Sequence, residues 1–75
     1  MLAAGDLNEM DRRLLSYLSN GRLTPAYARA RLEDDGVGEY SRGYIQQRLA
    51  RLVEHDHAVN LYETGLYELI DDPRE

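Results

Sequence analysis

Apolar positions along the chain fall into three stretches of helical spacing followed by one of alternating spacing. Leu7, Met10, Leu14, Tyr17 and Leu18 recur at intervals of three and four, which puts them on one stripe of a first helix. Asp6 or Asn8 caps its start, with Glu9 or Asp11 completing an approximate capping box, and Asn20-Gly21 stops it. Leu15 lies off the stripe and reads as a small subunit contact or a bystander. Arg22-Leu23 is a short extended connector. Thr24-Pro25 starts a second helix, because threonine caps and proline at the first helical position loses no hydrogen bond. Ala28 and Leu32 face inward in it, and Arg29 and Arg31 outward. The glycines and charges of Asp34 to Tyr40 mark a loop.

A third helix runs from Ser41 to Asp56. Ile45, Leu49, Leu52 and Val53 form its apolar stripe, while Gly43, Gln47, Ala50, Arg51 and Glu54 lie opposite, flanked by Tyr44 and Arg48. Residues 58 to 70 then read as a hairpin. Val59 and Leu61 alternate with Asn60 and Tyr62, Tyr67 and Leu69 alternate with Glu68 and Ile70, and Glu63-Thr64-Gly65 turns the chain. Residues 1–5 and 71–75 are expected to be flexible tails on a single domain spanning 1–75. The order of elements is that of a small α+β fold: three helices followed by a two-stranded β-hairpin, a helix-turn-helix with a wing.

Charge singles out the third helix. The chain has nine arginines, no lysine and fourteen acids, for a net charge of −5. Residues 22 to 51 hold six arginines against four acids, a net +2, and the remainder holds three arginines against ten acids, a net −7. From Ser41 to Arg51 there are three arginines, two glutamines, one tyrosine and no acid. Arginine and glutamine are the side chains that make paired hydrogen bonds to guanine and adenine edges in a major groove. An amphipathic helix with such an outer face is ordinary by itself, because most are merely solvated. Element order and charge coincide on the same helix here, and that coincidence favours a helix that reads DNA.

Other chemistry is poorly supported. Without cysteine there is no disulfide, thiol nucleophile or thiolate metal site. Asp34 and Asp35 are adjacent and do not follow calcium-loop spacing; Gly36-Val37-Gly38 lacks the third glycine of a dinucleotide loop and the lysine of a phosphate loop. His55 and His57 cannot share a helical face, so zinc is not expected; their ordinary reading is a cationic helix end, with one histidine free to face a phosphate. Ser16, Ser19 and Ser41 have no credible base. No enzyme, cofactor or small-molecule substrate is therefore expected. No run reaches the length of a membrane span, and the N-terminus lacks a basic, apolar leader pattern, so a cytoplasmic protein without membrane contact is expected.

The stretches MDRRLLSYLSNGRLTPAYARARL, YSRGYIQQRLARLVEHDHAVNL and TGLYEL followed by DDPR cover nearly the whole chain. In order and spacing they resemble the small winged-helix repressors of haloarchaea and their viruses, of the phage phi-H repressor type. Many carboxylates with no lysine suit a cytoplasm of molar salt, and a GC-rich genome also trades lysine for arginine. The resemblance implies a regulator of transcription, a repressor, that binds double-stranded DNA sequence-specifically as a homodimer. It puts Ser41, Arg42, Tyr44, Gln46, Gln47 and Arg51 in or beside the groove and Thr24 near a phosphate. Arg42 and Gln47 are the base-reading candidates. Arg51 and Arg48 are phosphate candidates, Arg48 having the alternative of pairing with an acid inside the protein.

The wing tip, Tyr62-Glu63-Thr64, has no arginine or lysine, which leaves the hydroxyls of Tyr62 and Thr64 as its candidate phosphate contacts. In molar salt, attraction between exposed charges is screened within about 3 Å, which shifts weight to base and apolar contacts. The competing reading is a protein–protein interaction module on the same fold with no DNA site, motivated by the acidic loop, the acidic wing and the net charge.

Overall fold

The computed structural model describes residues 2–74, except for the side chain of Ala4. Three helices, α1 (Glu9–Ser19), α2 (Pro25–Asp34) and α3 (Arg42–Glu54), precede an antiparallel hairpin of β1 (Ala58–Leu61) and β2 (Leu66–Leu69). A 3-10 turn at Ala4–Asp6 comes before α1. The described protein is thus a small α+β fold.

Each helix begins where its cap predicts. Asn8 accepts from the Asp11 amide while the Asp11 carboxylate accepts from the Asn8 amide, a reciprocal capping box on α1. Thr24 caps α2 through the Tyr27 amide, and Ser41 caps α3 through the Tyr44 amide. The second and third helices end alike. At α2, Gly36 adopts φ 73°, Val37 N–H donates to the Leu32 carbonyl and Gly36 N–H to that of Glu33. At α3 the left-handed position is Asp56, φ 64°, with His57 N–H donating to Leu52 and Asp56 N–H to Val53. This reversal ends α3 at Glu54, two residues short of the expected Asp56.

The core collects the expected stripes: Leu7, Met10, Leu14, Tyr17 and Leu18, then Ala28 and Leu32, then Ile45, Leu49 and Leu52. Leu15 joins them at 0% exposure, so it is neither a subunit contact nor a bystander. α1 packs against both α3 and β2, and that double cover makes its buried arc wider than one stripe.

In the hairpin, Ala58 pairs with Leu69 and Asn60 with Tyr67, and Ala58 and Tyr67 are the buried members. Val59 and Leu61 lie on the opposite, outer face with Glu68 and Leu66. Leu23 exchanges both backbone hydrogen bonds with Tyr67, at 2.9 and 2.7 Å, so the expected connector lies beside β2 as a one-residue third strand.

Leu2, Asp71 and Arg74, within the segments 1–5 and 71–75 expected as flexible tails, make hydrogen bonds to the rest of the chain; Met1 and Glu75 lie outside the described residues. His57 is wholly buried and serves as the clasp. Leu2 N–H donates to its Nε2 at 3.1 Å, and its Nδ1 lies 3.0 Å from the Asp71 carbonyl oxygen. A backbone amide can only donate, so Nε2 must present its lone pair and Nδ1 carries the proton given to Asp71. Nearby, Arg74 is held by Asp72 and donates to Ser16 Oγ at 2.7 Å, which seats the C-terminal segment on α1. His57 therefore faces the two ends of the chain and no external phosphate.

Replacing His57 by Leu orphans the buried Leu2 amide and should lower stability by about 1–3 kcal/mol, read as an earlier urea midpoint at pH 7. The hydrogen bonds from Arg74 hold the Asp72 carboxyl below its ordinary pKa, against the opposing effect of its burial. A depressed folded-state pKa stabilises the protein above the unfolded value, near 3.9, and that contribution disappears as pH falls through the folded one. Asp72→Asn should therefore be less stable than the parent at pH 7, with the gap closing below about pH 4 in parallel urea titrations.

Candidate nucleic-acid interface

The α3 surface is built from two flanks around one exposed strip. Ser41, Arg42, Gly43, Gln46, Gln47 and Ala50 are exposed, while Tyr44, Arg48 and Arg51 are half-buried along the flank nearer the start of α1. Ile45, Leu49 and Leu52 behind them have no exposure, and this apolar anchoring holds the strip outward. Gly43 is a helical glycine whose missing Cβ would meet nothing within 4 Å. A glycine inside a helix costs up to about 1 kcal/mol relative to alanine, and no packing contact within the chain requires it here.

Arg42, Gly43 and Gln46 also form one wall of an open cleft of about 630 Å³. Thr24, Pro25 and Ala26 at the start of α2 form the second wall, and Asn60, Glu63, Thr64 and Gly65 of the hairpin form the third. Thr24 and Ser41 reach outward from their cap positions. Each accepts an amide hydrogen bond on its hydroxyl oxygen, at 3.0 and 3.1 Å, which leaves the hydroxyl proton available to an outside acceptor.

Thr64 differs. Its hydroxyl already donates to the Leu61 carbonyl at 2.7 Å, so it has no proton left for a phosphate. Tyr62 is 96% exposed at the hairpin tip. Tyr62 and Glu63 are successive left-handed residues, φ 52° and 55°, and Gly65 follows at φ 84°. Left-handed backbone at a residue with a side chain costs on the order of 1 kcal/mol or more, and Asn60 offsets it here by accepting the Gly65 amide at 2.8 Å. Asn60 and Gly43 were not singled out from the sequence, Asn60 because its role depends on the turn it closes.

Arg48 takes the internal role. Its Nε donates to Asp11 Oδ1 at 2.8 Å and its Nη2 to Asp11 Oδ2 at 2.6 Å, and Asp11 is wholly buried. Arg48 is therefore removed from the phosphate candidates. The Asp11 hydrogen bond raises its pKa further, against the opposing effect of partial burial, so it stays charged. One signal for this was legible: Asp11 precedes Leu14, Leu15 and Leu18 by three, four and seven residues, which puts a carboxylate in line with the buried face. Tyr44 stacks on Tyr40, ring centroids 6.0 Å apart, and packs against the core, so only part of its ring faces out.

The remaining arginines divide clearly. Arg13 pairs with Glu9, Arg22 with Glu68 and Arg29 with Glu33. Arg31, expected to point outward, is half-buried with its guanidinium 4.7 Å from the Tyr17 ring and 5.9 Å from that of Tyr27. Tyr17 in turn donates to Asp35 at 2.8 Å, and burial first, then Asp35, raises its phenol pKa. Arg42 and Arg51 make no ion pair among the described residues. They are the cations of α3 without an ion pair among the described residues, although Glu63 sits across the cleft from Arg42.

No protein-family model, curated protein or solved structure matches this chain significantly. Among the described residues no helix is long and apolar enough to cross a membrane.

The two classes of arginine separate on stability. Arg48→Ala should lower it by about 3 kcal/mol, the low end for a broken buried pair because the Arg48 side chain retains 23% exposure. Arg42→Ala should change it by less than about 0.5 kcal/mol in the same urea titration.

Proposed function

We propose that the protein is a winged-helix regulator of transcription that binds double-stranded DNA sequence-specifically, with α3 entering the major groove. The observation that carries this reading is the pair Arg42, exposed on α3, and Arg51, half-buried beside it: among the described residues neither has an acidic partner, in a net-acidic protein that pairs Arg13, Arg22, Arg29 and Arg48 with its own carboxylates. A cation left unpaired beside exposed Gln46 and Gln47 has the donor chemistry that base edges and phosphates accept. In this reading Arg42 and Gln47 meet bases, Arg51 meets a phosphate, and the cleft with its Thr24 hydroxyl seats one sugar–phosphate strand. Gly43 lets that strand approach the helix closely. The wing contributes at most Tyr62, since Thr64 is committed and Glu63 repels phosphate. The regulator works as a homodimer that places two α3 helices about 34 Å apart on a near-palindromic site, and it represses by occluding that site.

Selection of bound sequences from a random duplex pool, in high salt, provides the operator and the first test. Mobility-shift titrations of variants then divide the roles. Gln47→Ala should relax sequence preference, whereas Arg51→Ala should weaken specific and nonspecific binding equally and reduce the salt slope by about one. Gly43→Ala should raise the melting temperature while weakening binding, which separates the surface role from folding. Equal effects of Gln47→Ala and Arg51→Ala on both kinds of DNA overturn these assignments. A protein that selects no duplex at any salt concentration overturns the reading itself, in favour of an adaptor that binds protein.

A further inference from the structure

Asp11 is wholly buried and too far inside to touch any ligand, yet it holds a directional contact between α1 and α3. Its Oδ1 accepts from Arg48 Nε, and its Oδ2 accepts both from Arg48 Nη2 and, at 3.0 Å, from the Asn8 amide that opens α1. The rest of the core that α3 enters is apolar: Ile45, Leu49 and Leu52 belong to one cluster with leucines, Met10, Ala28, Tyr17 and Tyr67. Apolar packing is non-directional and tolerates rotation of a helix about its axis far better than a bidentate guanidinium–carboxylate fork does. Arg48 neighbours Gln47 in sequence and lies one turn before Arg51. A change in its angle therefore carries the whole exposed strip with it.

We propose that Asp11 is a positioning residue that determines sequence specificity: through Arg48 it sets the roll of α3, and so the angle at which Arg42, Gln46 and Gln47 meet a base edge. This rests on the DNA-binding reading above and assigns that site a determinant which cannot itself reach DNA. The reason is geometric. Paired hydrogen bonds to a base edge need two donors or acceptors placed together, whereas a phosphate accepts an arginine over a wide range of approach. A roll of α3 thus degrades discrimination and leaves charge-driven binding intact.

Two variants test it without unfolding the protein. Arg48→Lys keeps the charge and loses the fork. The double variant Asp11→Leu/Arg48→Met replaces the pair with apolar side chains, an exchange that buried pairs often tolerate, and the melting temperature reads the cost of also removing the acceptor of the Asn8 amide. For each, the ratio of nonspecific to specific dissociation constants is measured on the duplex selected by the parent, together with the salt slope and the melting temperature. The expected result is a fall in the ratio of about tenfold in both variants, the size of one well-made base contact, with the salt slope unchanged. Variants that discriminate as well as the parent overturn the inference and leave the DNA reading standing. A slope reduced by about one in the double variant overturns it in favour of Arg48 as a phosphate contact. A parent protein that binds no duplex overturns the DNA reading and this inference together.

Discussion

The Asp11 carboxylate ties two functions of the chain to one point. It closes the capping box of α1 and grips the Arg48 guanidinium of α3, so the start of one helix and the middle of another are held by the same two oxygens. A buried carboxylate is tolerated only when its charge is matched and its oxygens are hydrogen-bonded, and here Oδ1 accepts one hydrogen bond and Oδ2 two. For a chain of 75 residues without disulfides, whose core is mostly leucine, such a contact supplies what apolar packing lacks, namely a preferred angle. The outer face of α3 inherits its orientation from that contact.

His57 does comparable work at the other end of α3. It follows the left-handed Asp56 that ends the helix, and its ring holds Leu2 on one side and Asp71 on the other. Leu2 and Asp71 are thereby held at the corner between α3 and β1. A small domain buries only about 60% of its unfolded surface, so sealing its ends over the core matters more than it would in a larger one. Among the described residues the wholly buried polar side chains are Asp11 and His57; each has a hydrogen-bond partner on every polar atom, and each joins segments far apart in the chain.

The acidity of the protein and its candidate nucleic-acid surface are reconciled by pairing. Carboxylates pair with arginines at the surface, at Glu9, Glu33 and Glu68, and inside at Asp11, and among the described residues α3 is left with Arg42 and Arg51 without an ion pair. The surface relevant to a polyanion is set by which cations remain unpaired, and the net charge does not report it. Glu63 at the hairpin tip and the left-handed Tyr62 beside it make that tip unlike a basic wing, so the weight of recognition in the proposed reading falls on α3 and on the start of α2.

The sequence by itself determined the three helices, their caps, the hairpin and the apolar stripes, because each depends on groups within a turn or two of one another. Asn8, Thr24 and Ser41 cap because the amides they bond lie three residues on. What only the tertiary structure decided was every role that depends on distant partners. Arg48 and Asp11 are 37 residues apart, Leu2 and His57 are 55 apart, and Ser16 and Arg74 are 58 apart. Leu15 could be placed only once α1 was seen covered on two sides, and Val59 and Leu61 only once the hairpin's inner face was known. The same holds for the charges on α3. Helical spacing shows that Arg42, Arg48 and Arg51 avoid the apolar stripe, but whether each meets a carboxylate is settled by the neighbouring helix, since an ion pair depends on separation in space and not along the chain.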